Sequence, residues 1–282
     1  MERERRIAVL IDGDNAQASL VREILSEVSK HGKITTRRIY GDFTIGMTKW
    51  KKVLNENAIT PQQQFAYSKG KNSTDSFMII DAMDLLHSNK VDGFAIVSSD
   101  SDFTRLATRI REEGLFVMGI GRRNSTQAFV NACEVFVYTE IIGGEDLNIA
   151  PDVEDAHPSP EVDETETIAD YSGMTVVELR ELLRNSGMKV SGNKPELIAR
   201  LETPRLEDAG SLIVKAIDLC TLDEEGWTNL PSVGIFLRKL DPAFDSRSHG
   251  YRSLSLLIKS IPIFEYRGDH PAADVRIAPG NN

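Results

Sequence analysis

Short apolar or β-branched runs recur at residues 7–11, 34–40, 64–67, 94–97, 115–120 and 135–138. The stretches between them carry apolar residues at helical spacing. Residues 17–31 place Leu20, Ile24, Leu25 and Val28 on one stripe and stop at Gly32. Residues 75–87 carry Phe77, Met78, Ile79, Ile80, Ala82, Met83, Leu85 and Leu86, a pattern apolar around most of its circumference that predicts a central helix. Residues 103–113, with Leu106, Ala107 and Ile110, end at Gly114. Strands alternating with helices of this length imply right-handed crossovers and a parallel sheet covered on both faces. The expected fold over residues 1–147 is therefore α/β, a three-layer sandwich with a parallel central sheet.

The pattern changes after residue 147. Residues 151–170 hold eight acidic residues, no Lys or Arg, and Pro158 and Pro160. The region 148–170 accordingly reads as an acidic, disordered linker. Residues 171–204 begin with Thr175 as a helix N-cap and Glu178 as its capping-box partner, ahead of the stripe Leu179, Leu182 and Leu183. A turn through Gly187 and Gly192 leads to a second helix with Pro195 in its first turn. In 205–278 three amphipathic helices, at 212–219, 230–240 and 253–261, precede short strands at 264–267 and 275–277, a winged-helix layout.

Charge alters one conclusion. The formal net charge is −10, but most of it sits in the short linker, and the flanking regions are close to neutral. The acidic balance thus does not exclude a nucleic-acid partner. With only Cys133 and Cys220 present, a disulfide framework or cysteine-rich zinc site is not expected, and a reducing cytoplasm is the simplest home. No 18-residue apolar stretch and no secretory signal are visible, so a soluble cytoplasmic protein is expected.

Two of the apolar runs end in carboxylates: Asp12-Gly13-Asp14-Asn15 follows the first, and Ser98-Ser99-Asp100-Ser101-Asp102-Phe103 follows the fourth. In open α/β sheets ligands bind just past the carboxyl ends of strands, so these groups are expected to converge there. Clustered carboxylates remain ionised only around a cation, and hard oxygen donors suit Mg²⁺ or Mn²⁺. Alternation along a strand allows Asp12 and Asp14 to share a face, and likewise Asp100 and Asp102. A third acid, Asp75, sits beside Ser73 and Thr74 at a helix start, where a carboxylate also has a purely structural role.

These motifs, together with residues 125–129 ahead of Cys133-Glu134-Val135-Phe136, resemble the NYN domain of the PIN-like ribonuclease superfamily over residues 5–140. The resemblance implies a metal-dependent RNA phosphodiesterase whose pocket is formed by Asp12, Asp75, Asp100 and Asp102, all of them metal ligands, with Asn15 assisting by hydrogen bonding. Asp14, Ser73, Thr74 and Asp81 are expected to support those ligands, and Asp42 is a further candidate. Removing one ligand should cost activity far more than stability. Substrate grip is assigned to Lys69, Lys71 and Arg105, which lie beside the acidic motifs, to Lys49, Lys51 and Lys52 around Trp50, and to Arg122 and Arg123. Backbone charge neutralisation with aromatic stacking is how single strands are held.

Residues 171–204 resemble a SAP module, which implies nucleic-acid contact through Lys189, Lys194 and Arg200. Residues 226–230, 242–245 and 250–254 resemble the LOTUS, or OST-HTH, domain. That resemblance implies RNA binding, although the same fold also serves as a protein-docking unit. The leading expectation is a ribonuclease delivered to single-stranded RNA by accessory modules. A catalytically silent RNA-binding adaptor and a phosphohydrolase with Asp12 as nucleophile are the competing readings.

Overall fold

The computed structural model describes residues 4–44, 48–64, 73–143, 175–185, 194, 197, 204–268 and 273–279. They divide into two compact units, the described residues within 1–145 together with 241–244, and those within 146–240 together with 245–282.

The first unit is a six-stranded sheet of β1 (Arg6–Asp12), β2 (Lys33–Gly41), β3 (Thr60–Gln63), β4 (Gly93–Val97), β5 (Phe116–Gly121) and β6 (Val135–Tyr138), in the order β3-β2-β1-β4-β5-β6. Every pairing is parallel. Strands β1, β4 and β5 are buried almost end to end, as continuous apolar runs at the centre of a parallel sheet must be. Their residues alternate between two cores. Ala8, Leu10, Phe94 and Ile96 join Met78, Ala82, Phe103, Leu106 and Phe129 on one face, beneath α3 (Ser73–His87), α4 (Thr104–Glu112) and α5 (Gln127–Ala132). Ile7, Val9, Ile11 and Val97 join Val21, Ile24, Val28, Trp50 and Leu54 on the other, beneath α1 (Val21–Ser29) and α2 (Thr48–Glu56). A further short helix, α6 (Thr139–Ile142), follows β6. The fold is a three-layer α/β sandwich with a parallel central sheet, as the alternation of strands and helices implied.

Three local expectations are corrected. The third strand is Thr60–Gln63 rather than 64–67, of which 65–67 lie outside the described residues. Helix α3 is not wrapped on all sides: Met78, Ala82 and Leu86 form its buried stripe, Phe77, Ile79, Met83 and Leu85 are only partly covered, and Ile80 is 59% exposed. The lysine-rich stretch around Trp50 is a helix, and Trp50 is a core residue with 4% of its surface exposed. It cannot act as a stacking platform.

In the second unit, α7 (Val176–Asn185) opens with the expected capping box. The Thr175 backbone N–H donates to Glu178 Oε2 at 2.7 Å, and the Glu178 N–H donates to Thr175 Oγ1 at 3.4 Å. Helices α8 (Pro204–Asp218), α9 (Leu230–Leu240) and α10 (Leu254–Ser260) bury Ile213, Ile217, Val233, Leu237, Leu257 and Ile258. A small antiparallel sheet of β7 (Thr228–Asn229), β9 (Asp274–Ile277) and β8 (Phe264–Arg267) completes a winged-helix arrangement. Trp227 is 9% exposed, with the guanidinium groups of Arg267 and Arg276 at 4.3 Å and 4.5 Å from its ring. Among the described residues no helix is long and apolar enough to cross a membrane.

Candidate active site

The strand order reverses between β1 and β4, both leaving the sheet centre in the same direction. The crevice past their carboxyl ends is the topological switch point, the usual ligand site of such sheets. Asp12 is the last residue of β1 and shares the face of Ala8 and Leu10, the face that carries α3 and α4. One strand over, Ser98 has the same orientation beyond Phe94 and Ile96. Its hydroxyl donates to Asp12 Oδ2 at 2.7 Å and accepts the Asp100 N–H at 3.1 Å.

Asp12 is 1% exposed, and its burial is offset by donors. Oδ1 accepts the backbone N–H groups of Asp14 (3.1 Å) and Asn15 (3.3 Å), while Oδ2 accepts the Asn15 side-chain amide (2.7 Å) and Ser98. Asp100 caps the turn Ser101–Phe103, its Oδ1 accepting the Asp102 N–H at 2.9 Å. Asp75 lies in the first turn of α3. Asp75, Asp100 and Asp102 each offer a carboxylate oxygen, and the three oxygens lie within 4.8 Å of one another. Asp12 stands outside that group, yet its charge reaches it. The Asp75 carboxyl is pushed up to about 6, first by burial and then by the charges of Asp12, Asp100, Asp102 and Asp14. Asp14 is raised by burial and by Asp12, against a hydrogen bond from Thr74, with Asp42 adding to the rise. The donors are hard oxygens only, with no His or Cys in the group, a set suited to Mg²⁺ or Mn²⁺.

The alternation expected for Asp14 and for Asp102 does not extend so far. β1 ends at Asp12, so Asp14 belongs to a turn, and Asp102 sits in the 3-10 turn after β4. Asp81 lies six residues along α3 from Asp75, where it accepts hydrogen bonds from Arg38 (2.5 Å) and from the Tyr40 hydroxyl. Asp42 accepts from Thr44 and from Gln63 Nε2 at 2.9 Å. Ser73 opens α3, its side chain outside the described residues.

Among the cations, Arg105 is exposed in the first turn of α4, directly after Asp102, and Arg122 and Arg123 are exposed just past β5. The Arg122 N–H donates to Ser99 Oγ at 2.8 Å, which ties this loop to the turn carrying Asp100. Arg123 lies over the Tyr138 ring at 5.4 Å. Lys51 and Lys52 are exposed on α2, Lys52 within 3.8 Å of Glu56, and the Lys49 side chain is outside the described residues. Lys69, Lys71, Lys189 and Arg200 also lie outside them, while Lys194 is helical and half-buried. The sequence alone marks no role for Ser98, although a hydroxyl on the same face as Asp12, one strand away, is a readable signal.

The parallel α/β sandwich with acids at its switch point falls within a region similar to a known family. Residues 6–142 match the NYN domain, and residues 177–275 match the OST-HTH/LOTUS domain. The chain thus joins a region similar to the NYN domain to a C-terminal region similar to the OST-HTH/LOTUS domain. The second match begins inside α7, within the stretch that resembles a SAP module, and no separate SAP module is confirmed. The chain is 29% identical over 127 residues to an uncharacterized protein of Methanocaldococcus jannaschii, covering 42% of this chain and 48% of that protein. It thus spans about half the length of the curated relative it matches. A Vibrio parahaemolyticus protein of unknown function is similar at 17% identity and a TM-score of 0.42, covering 49% of this chain and 94% of the other.

Proposed function

We propose that the chain is a metal-dependent ribonuclease that hydrolyses RNA phosphodiester bonds at the crevice between β1 and β4. The observation that carries this reading is the meeting of Asp75, Asp100 and Asp102 from two separate stretches of chain. Those three would hold a Mg²⁺ or Mn²⁺ ion, with Asp12 beside them. When bound, such an ion neutralises the approaching phosphodiester and lowers the pKa of a bound water. Without it, four carboxylates would repel the substrate.

The protein's own groups do the rest. Asn15 and Ser98 hold the Asp12 carboxylate in place by hydrogen bonds. Thr74 orients Asp14. Arg105, three residues after Asp102, and Arg122 and Arg123, on the loop tied to Ser99, attract the RNA backbone, and Lys49, Lys51, Lys52, Lys69 and Lys71 extend that attraction. The OST-HTH/LOTUS domain supplies RNA affinity or a protein contact, with Lys194 of the SAP-like stretch assisting. Joining it to the nuclease domain through the acidic segment raises the effective RNA concentration at the pocket.

Incubation with labelled RNA, DNA and a phosphomonoester, in Mn²⁺, Mg²⁺ or EDTA, tests this. RNA cleavage that needs a divalent ion and vanishes in Asp100→Asn supports it. RNA binding without cleavage under every metal condition would instead favour the silent adaptor, and release of phosphate from the monoester would favour the phosphohydrolase.

A further inference from the structure

The two halves of the acidic site come from elements that touch a common residue. Tyr40 is fully buried near the end of β2 and pairs in register with Asp12. Its backbone carbonyl accepts the Gly13 N–H at 2.9 Å, which anchors the turn through Asp12, Asp14 and Asn15. Its ring meets Phe77 of α3 edge to face, with centroids 5.8 Å apart. Its hydroxyl donates to Asp81 on the same helix, and Asp81 also accepts from Arg38 of β2 at 2.5 Å. Asp75 stands at the start of that helix.

We infer that Tyr40 is a positioning residue of the acidic site, setting through its carbonyl and, by way of Asp81, through its hydroxyl the spacing between the Asp12 turn and Asp75. The inference rests on reading that site as a metal centre. The phenol is sealed from solvent, and its hydroxyl is spent on Asp81 beside Arg38. The acceptor is a carboxyl group that also pairs with the Arg38 guanidinium, so the hydroxyl joins a charge-assisted network. It fixes α3 along its own axis, where ring packing alone would permit sliding. A site built from carboxylates on separate elements is sensitive to displacements well below 1 Å.

Tyr40→Phe keeps the ring and removes only the hydroxyl. Below the melting transition, the Mn²⁺ dissociation constant, read by calorimetry or by EPR of free Mn²⁺, is expected to rise about tenfold. kcat on RNA should fall and KM for RNA should stay unchanged. Asp81→Ala, at a partly exposed position, should reproduce the loss, and the double variant should be no weaker than the worse single one. A lower melting temperature with Mn²⁺ affinity and kcat at wild-type levels would reduce Tyr40 to a packing residue and overturn the inference. Wild-type chain that binds Mn²⁺ but cleaves no RNA would sink the ribonuclease reading alone, leaving the metal titration to decide this one.

Discussion

The Ser98 hydroxyl donates to Asp12 at 2.7 Å while accepting the Asp100 N–H at 3.1 Å, so one small side chain ties together the ends of β1 and β4. Both oxygens of Asp12 face donors only, four in all. This changes the expected cost of neutralising it. Asp12→Asn places an amide N–H₂ against those donors in a buried pocket, and should lower stability by about 1–3 kcal/mol as well as abolish cleavage. Urea unfolding of the metal-free variant checks this. A midpoint at or above wild type would show that repulsion among the carboxylates outweighs the hydrogen bonds.

Asp75 behaves in the opposite way. It is surrounded by the charges of Asp12, Asp100, Asp102 and Asp14, so Asp75→Asn removes repulsion and should raise the melting temperature of the metal-free chain by a few degrees. Mn²⁺ should stabilise the wild-type chain and leave this variant unmoved, because ligand stabilisation requires binding to the folded state. Thermal melts with and without Mn²⁺ give both answers, and an equal Mn²⁺ shift in the two proteins would remove Asp75 from the ligand set.

The same carboxyl gives a signed pH dependence. Its pKa rises from 3.8 to about 6 on folding, so between those values the folded state holds a proton that the unfolded chain has released. Stability of the metal-free chain should therefore increase as pH falls from 7 toward 4, and the gain should level off below the unfolded value. Comparing wild type with Asp75→Asn isolates this contribution. With Mn²⁺ present the trend should invert near pH 6, since protons and metal compete for one group; a wild-type slope identical to that of Asp75→Asn would refute the assignment.

Trp50 separates structure from substrate binding. Buried with Leu54 and Val21 between the sheet and its covering helices, it should cost about 3–5 kcal/mol when replaced by alanine. Lys51→Glu and Lys52→Glu should leave stability nearly unchanged, and only these should alter RNA affinity in filter binding at low salt. A stable Trp50→Ala protein with weakened RNA binding would restore the stacking role.

Ala58 offers a gain in stability. It follows α2 with φ at 50°, and the Ile59 N–H closes the helix end on Leu54 O at 3.0 Å. That left-handed position favours glycine. Ala58→Gly should add about 0.5–1 kcal/mol, measurable by denaturant unfolding; a loss of stability would mean that unfolded-state entropy dominates.

Legibility of the fold followed burial. β1 and β4 were readable because central parallel strands are apolar throughout, and the acids after them inherited that clarity. β3 was misplaced because Thr60-Pro61-Gln62-Gln63 has no apolar residue; it is an edge strand, where a proline without an N–H is tolerated. α2 was hidden by its lysines, although Trp50, Val53 and Leu54 already had helical spacing. The apolar face of α3 suggested deeper burial than it has, since Ile79, Ile80 and Met83 satisfy the same periodicity whether covered or not. Within the site, the acids could be found from strand ends, but the division of labour between the clustered trio and the hydrogen-bonded Asp12 depends on side-chain directions that no spacing encodes.

The parallel pairing of β1 with β4 also sets an order of events. Asp12 and Ser98 are separated by 86 positions, so a growing chain exposes the carboxylate long before its anchoring hydroxyl has been synthesised. Closing so long a loop is a late event in folding. Divalent ions should then have little to grip in early intermediates, and their stabilising influence should register as slower unfolding, with the refolding rate almost untouched.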